Sequence, residues 1–443
     1  MSLGEMNLLK QKSFTPFFIV QFFGTFNDNA FKYAMLTLIS YHLSTSQHQS
    51  EVYQAIASAL YILPFVFLSA MAGQLADKFC KADMTGIIKV FEVVLVAIGG
   101  VALYYGYTWL LMIMLMGLGV HSTFFGPIKY AILPDLLSKK QLLGATAWIE
   151  ASTFLAILLG TILGAISISG LRVGTIYAIV LTGISAILGL TASFYILPSK
   201  SVMTTMKIDW HCWRATKDMI KTVLDNKKIA PTIYAISWFW VIGAVILTKL
   251  PDYTYYVLRA DSTVFSIFLA LFSIGIALGS MVINRCLDGK ITLRFVPVCM
   301  LLLSVFTIDL YWISSDNLSA LPLQSWVAFF KEALHWRIAL DLFLLSFCCG
   351  LFIVPLYTYL QISTKCFERA RTIAANNIFN SIFMVFGSLV MMLLLQLKVS
   401  ITSVFLLLGL VNIIVASLFF IFQDHRRYLK AWAYFSQFRA GKK

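Results

Sequence analysis

Twelve separate apolar stretches, each about as long as a bilayer is thick, run through this 443-residue chain. They lie at 17–41, 53–76, 84–105, 109–130, 144–168, 174–196, 231–257, 264–285, 293–313, 338–363, 372–397 and 401–423. A spanning helix needs about 20 mostly apolar residues, so each stretch is predicted to cross a membrane once. Composition agrees: 60% hydrophobic and 12% charged residues is far from the roughly half apolar, quarter charged balance of a domain folded in water. The expected fold class is therefore an all-α polytopic membrane protein with twelve transmembrane helices. The first sixteen residues are mixed polar, with Lys10 and Lys12, and are not followed by a short apolar run with a small-residue cleavage site; no removable leader is expected.

Basic residues set the expected orientation, because cytoplasmic loops retain positive charge. Of the 34 Lys and Arg, twenty-five fall in even-numbered loops and the termini and five in odd-numbered loops. Both termini are thus expected in the cytoplasm, and the net charge of +14 is read as anchoring against anionic lipid heads, with no nucleic acid as partner. Between 197 and 230 the chain turns polar and basic, with Trp210, Trp213 and Ile220 spaced as the apolar side of a short helix on the inner membrane surface. The expected division is 1–196 as an N-terminal six-helix bundle, 197–230 as a cytoplasmic basic linker, 231–423 as a C-terminal six-helix bundle and 424–443 as a basic cytoplasmic tail. The aromatic-rich stretch 318–336 is too broken for another span and is expected at the outer interface.

Seven cysteines offer no disulfide framework, since Cys80, Cys212, Cys286 and Cys366 fall on the reducing side and Cys299, Cys348 and Cys349 within spans. Histidines such as His42, His48 and His121 are scattered without a second ligand nearby in the sequence. Neither a metal nor a cofactor is expected. No nucleophile pair or phosphate loop points to an enzyme.

The halves echo each other. Phe125-Gly126-Pro127-Ile128-Lys129-Tyr130 matches Ile353-Val354-Pro355-Leu356-Tyr357, and Ala147 to Thr153 matches Ala374 to Asn380, which makes Glu150 and Asn377 equivalent. This resembles the parallel repeat of the major facilitator superfamily and implies its fold, two six-helix bundles. After span two comes Gly73-Gln74-Leu75-Ala76-Asp77-Lys78 followed by Lys81. Gly73 lets two helices approach closely, Asp77 is suited to accept N–H groups at a helix N-terminus, and Lys81 adds a cytoplasmic charge. The second-half copy near Gly279 and Arg285 lacks the acidic residue, so gate locking is expected on the first half.

Placing a charge at mid-bilayer costs at least about 2.5 kcal/mol, so such residues face a cavity, pair, or both. Asp28 and Lys32 are four apart on one helix face, either as an internal ion pair or with Asp28 open to cargo or a coupling cation; Asn27 and Asn29 add polarity. Lys89 and Glu92, three apart, read as a structural pair or a snorkelling lysine. Lys129 has an interfacial or a phosphate-binding reading, and Glu150 a cavity or a hydrogen-bonded structural one. Lys249, Pro251 and Asp252 interrupt span seven, either as a hinge with a local ion pair or as an outer-leaflet headgroup contact. Asp309 and Asp341 are expected at the outer interface, and Asn376, Asn377 and Asn380 as a functional amide cluster.

Gln21-Phe22-Phe23-Gly24-Thr25-Phe26-Asn27-Asp28-Asn29, Gly126-Pro127-Ile128-Lys129-Tyr130, Glu150-Ala151-Ser152-Thr153 and Arg369 to Asn377 resemble the bacterial lysophospholipid transporters, including those that form the first domain of fused acyltransferase/acyl-acyl-carrier-protein synthetase proteins. Lys249 departs from the family's pattern, which has an uncharged polar residue there. The resemblance implies a flippase that moves lysophospholipid, of the lysophosphatidylethanolamine kind, from the outer to the inner leaflet of a bacterial inner membrane for reacylation. It implies a monomer among membrane lipids, alternating access with lateral lipid entry, and a separate acyltransferase or acyl-acyl-carrier-protein synthetase as partner. The substrate residues expected are Asp28, Asn29, Lys32, Lys129, Glu150, Lys249, Asn377 and Asn380, with Gly73, Asp77 and Lys81 as the gate. The alternative is an ion-coupled exporter of drugs, siderophores or other small solutes.

Overall fold

In a computed structural model, residues 8–168, 171–198, 205–314 and 323–440 are described. Twelve long helices run through them: α1 Thr15–Leu38, α2 Gln47–Lys78, α3 Lys81–Tyr105, α4 Thr108–Ala131, α5 Leu142–Ser167, α6 Leu171–Ser193, α7 Ala230–Asp252, α8 Ser262–Cys286, α9 Val296–Ile313, α10 Ala333–Ser363, α11 Arg369–Gln396 and α12 Ile401–Ala440. Eleven are both long and apolar enough to cross a membrane. The exception is α1, whose 24 residues reach about 36 Å at 1.5 Å per residue. Its apolar run is broken by Gln21, Asn27, Asp28, Asn29 and Lys32. Gln21, Asn27 and Asp28 are buried against neighbouring helices, which is why so polar a segment can sit among spans.

Local chemistry sets the helix ends. Ser46 caps α2 by accepting from the Gln49 N–H at 3.2 Å, and the Asp261 side chain accepts from the Thr263 and Val264 N–H groups at the start of α8. Proline opens α1, α7 and α9, where its missing N–H costs nothing. Gly106, with φ of 72°, ends α3 in the left-handed conformation that glycine adopts most readily. The α12 helix continues to Ala440, beyond the 423 expected for the span.

The linker helix Cys212–Asp225 forms as expected, yet its packed stripe is Ala215, Thr216, Met219 and Val223, while Trp210 and Trp213 are exposed. Gln74 at the end of α2 ties the linker down, accepting from the Asp209 N–H at 2.8 Å and donating to the Asp209 carbonyl at 3.5 Å. Linker residues 199–204 lie outside the described residues. So do 315–322, at the start of the expected interfacial stretch. Between 323 and 332 lies a single helical turn, Trp326–Phe329, with Phe329 buried under His335 of α10, its ring 3.8 Å away and parallel. Trp326 and Trp336 remain exposed.

Hydrogen bonds joining α1–α6 to α7–α12 cluster at the ends nearest the basic loops. Gln361 of α10 donates to Thr146 of α5 at 3.1 Å, and Arg369 donates to the Ala131 carbonyl at 3.4 Å. Toward the opposite ends, much of α2 over 51–63 and of α11 over 382–393 is exposed.

Candidate transport cavity and gate

A cavity of about 310 Å³ lies between the halves, lined by α1, α2, α4 and α5 on one side and by α7, α10 and α11 on the other. Helical spacing explains the lining: Asn377, Asn380, Ser381 and Met384 of α11 lie three and four apart on one face. Asp28, Asn29, Lys129, Asn377 and Asn380 all reach this cavity. Three expected site residues do not. The Lys32 ammonium lies over the rings of Tyr61 and Tyr33, 5.4 and 5.9 Å from their centroids, and does not pair with Asp28. Glu150 is buried behind Tyr130, whose hydroxyl donates to it. Lys249 pairs with Asp252 at 3.1 Å and lines an adjoining cleft of about 190 Å³ with Thr248, Met384 and Ser388.

Behind Asp28 stands a buried charge cluster. The Ser122 hydroxyl donates to Asp28 Oδ2, and the Tyr61 hydroxyl donates to the same oxygen at 3.4 Å. His121 places Nδ1 3.7 Å from Asp28 Oδ1 and Nε2 3.4 Å from Glu92 Oε2. Glu92 in turn accepts from Lys89 at 2.6 Å and from Asn27 at 2.8 Å, with Lys89 and Glu92 fully buried. Gly24 makes room for this pair, since a Cβ there would overlap Lys89 Nζ. The Lys89–Glu92 pairing matches the sequence reading, whereas nothing in the sequence marks His121, because its partners lie on other helices.

A polar girdle surrounds the cavity's basic-end floor. Lys129 donates to Thr153 Oγ1 at 2.7 Å, Gln21 donates to the same oxygen at 2.7 Å, and Ser152 donates to Gln21 at 2.8 Å. Tyr130 stacks on Tyr357 across the two halves, centroids 4.2 Å apart and planes 8° off parallel. Trp240 donates to the Tyr357 hydroxyl at 3.1 Å, and the Asn380 amide lies 2.9 Å from Ser237 Oγ. Aligned on Pro127 and Pro355, the sequence repeat sets Tyr357 opposite Lys129 and Tyr130 opposite Thr358, so the ring pair is not read from matching places in the halves.

Below this floor the basic ends of the two halves are in direct contact. Asp77 accepts from the Ala370 and Arg371 backbone N–H groups at 3.0 and 3.1 Å and from the Arg371 guanidinium at 3.1 Å. It therefore caps α11, where a helix N-terminus attracts negative charge. Gly73 is required for the approach: a Cβ there would stand 2.6 Å from Ala374 Cβ and 2.9 Å from Arg371 Cα. Lys81 is fully buried against Asp135 at 3.3 Å, and Arg369 reaches Asp135 at 3.3 Å from the other half. Among the described residues no cluster of three metal-binding side chains exists.

A third space, about 590 Å³, runs between α7, α11 and α12, lined by apolar side chains such as Val245, Phe383, Val390, Leu407 and Val411. Met384 is shared by the central cavity and the Lys249 cleft, and Val241 and Gly387 by that cleft and this groove, so the three spaces adjoin in sequence.

Comparison with known proteins matches this architecture. The model of the Major Facilitator Superfamily matches residues 17–361. The Lysophospholipid transporter LplT of Photorhabdus laumondii is 26% identical over 352 residues, covering 78% of this chain and 79% of that protein. Its namesake from Escherichia fergusonii is 25% identical over 296 residues, 66% and 70% of the two chains. Among solved structures, the human organic anion transporter MFSD10 superposes with TM-score 0.69 at 12% identity over 91% of this chain and 99% of its own. A bacterial homologue of the iron transporter ferroportin, in an outward-facing state, gives 0.65 at 13% identity over 93% and 99%. The chain belongs to the major facilitator superfamily, as a transporter resembling the bacterial lysophospholipid transporters.

Proposed function

We propose that this transporter moves lysophospholipids of the phosphatidylethanolamine type from the outer to the inner leaflet of a bacterial inner membrane, with both termini in the cytoplasm, where a separate acyltransferase restores the second chain. The observation that carries the reading is the cavity itself: Asp28 and Lys129, opposite charges from α1 and α4, share one chamber with the amides of Asn377 and Asn380. A zwitterionic headgroup presents an ammonium to the first and a phosphate to the second. The relatives named as lysophospholipid transporters support the same cargo.

A lysolipid also carries one acyl chain, which water rejects. The groove between α7, α11 and α12 adjoins the cavity through Val241, Gly387 and Met384 and receives that chain while the headgroup stays in the polar chamber. Gly387 matters at this seam because a Cβ there would stand 3.0 Å from Val241 Cγ1. Rocking of the halves about the cavity, with the Asp77 lock released, then delivers the headgroup to the basic side.

Labelled lysophosphatidylethanolamine, offered to right-side-out and inverted vesicles holding the protein, tests this. Uptake from the outer face that depends on the protein is expected. Movement of small solutes with no movement of lysolipid would transfer the assignment to the exporter reading.

A further inference from the structure

Three buried polar atoms without a hydrogen-bond partner lie side by side at the cavity edge: Asp28 Oδ1 and both ring nitrogens of His121. The ring nonetheless spans two carboxylates, with Nδ1 3.7 Å from Asp28 and Nε2 3.4 Å from Glu92. A neutral imidazole has one donor and one acceptor, so one nitrogen would turn a lone pair toward a carboxylate; an imidazolium donates from both. The charged groups facing the ring are Asp28 from α1 and Lys89 and Glu92 from α3; Tyr61 of α2, Ser122 of α4 and Ser185 of α6 add only hydroxyls to the network. Lys129 lies in the same cavity, engaged with Thr153. With Lys89 charged, the cluster carries one net negative charge when His121 is neutral and none when it is protonated.

We propose that His121 is a positioning residue that sets headgroup selectivity by supplying or withholding the charge that balances Asp28, an inference that rests on the lysolipid reading above. With a neutral ring, Asp28 keeps an unbalanced charge and the cavity favours a headgroup bearing an ammonium. With a protonated ring, Asp28 is already balanced, and the cavity accepts a phosphate headgroup ending in hydroxyls, its phosphate still on Lys129. One chamber thereby serves two headgroup chemistries.

The test is competitive uptake of labelled lysophosphatidylethanolamine and lysophosphatidylglycerol into phosphatidylcholine proteoliposomes over about pH 5 to 8. The expected glycerol-to-ethanolamine ratio falls as pH rises. His121→Gln lowers that ratio at the acid end by at least about tenfold, the equivalent of about 1.4 kcal/mol, and flattens its pH dependence. His121→Lys keeps the ratio high throughout. A histidine that only packs would lower both uptakes together and leave the ratio and its slope in place, which overturns the proposal. An invariant ratio in the unmodified protein overturns it equally, and needs no variant to fold. Uptake of neither lipid defeats the lysolipid reading and this inference together, whereas uptake of both at an invariant ratio defeats this inference alone.

Discussion

Asp28 shows how much a single residue's meaning depends on neighbours from other helices. Spacing places Asp28 and Lys32 on one face of α1, but helix periodicity fixes a face and not a rotamer; Lys32 turns to tyrosine rings and Asp28 to Ser122, Tyr61 and His121. Lys89 and Glu92 are legible because both partners sit one turn apart on α3. His121 is not, since its carboxylates lie on α1 and α3. Asp28→Asn keeps the side-chain size and acceptor oxygen, so protein abundance should hold while lysolipid uptake falls at least about tenfold, the scale of one lost charge interaction; unchanged uptake would make Asp28 purely structural. Lys89→Met strands a buried carboxylate and should destabilise by about 3–5 kcal/mol, seen as a lowered unfolding temperature in detergent. Lys89→Met combined with Glu92→Leu should recover most of that loss, and a double variant as unstable as the single one would refute the pairing argument.

Among elements, α11 is held at its N-terminus by an acceptor from α2, and the motif around Gly73 makes this contact readable in the sequence itself. The motif names an acceptor and a close approach; it leaves open which helix receives them. Asp77→Ala removes the acceptor of two backbone bonds and one side-chain bond, each of which leaves a donor unmet at a cost of about 1–3 kcal/mol. Cysteines introduced along the basic ends of α2 and α11 should then react faster with a water-soluble maleimide. Gly73→Leu should do the same by wedging the helices apart, and rates equal to those of the unmodified protein would show that neither residue holds the gate. The linker helix meets the bundle through a stripe ending at Val223, while Trp210 and Trp213, expected at the membrane surface, stay exposed. Tryptophan tolerates a membrane interface, so hydrophobicity alone does not say which apolar side is core.

For the molecule as a whole, the twelve apolar stretches match the twelve long helices, because only helices hide their backbone in lipid, although α1 is less apolar than the other eleven. The cavity is only half legible, since α4 and α11 face each other across the repeat while Lys249 and Glu150 stand aside from it. A cysteine near Gln47 should label from outside intact cells and one near Lys139 only after permeabilisation; the reverse pattern would invert the topology. Uptake should continue when proton and sodium gradients are collapsed, because cargo consumed by reacylation inside supplies its own gradient; arrest would assign the protein to ion-coupled transport. The stacked Tyr130 and Tyr357, one ring from each half, cast these expectations in a different light. Parting such rings costs only about 0.5–1.5 kcal/mol beyond the area they bury. In the proposed rocking cycle they serve as a flap with a weak spring, closing the floor between strokes and yielding to a headgroup pushing through, with the timing of each stroke left to the Asp77 contacts beneath.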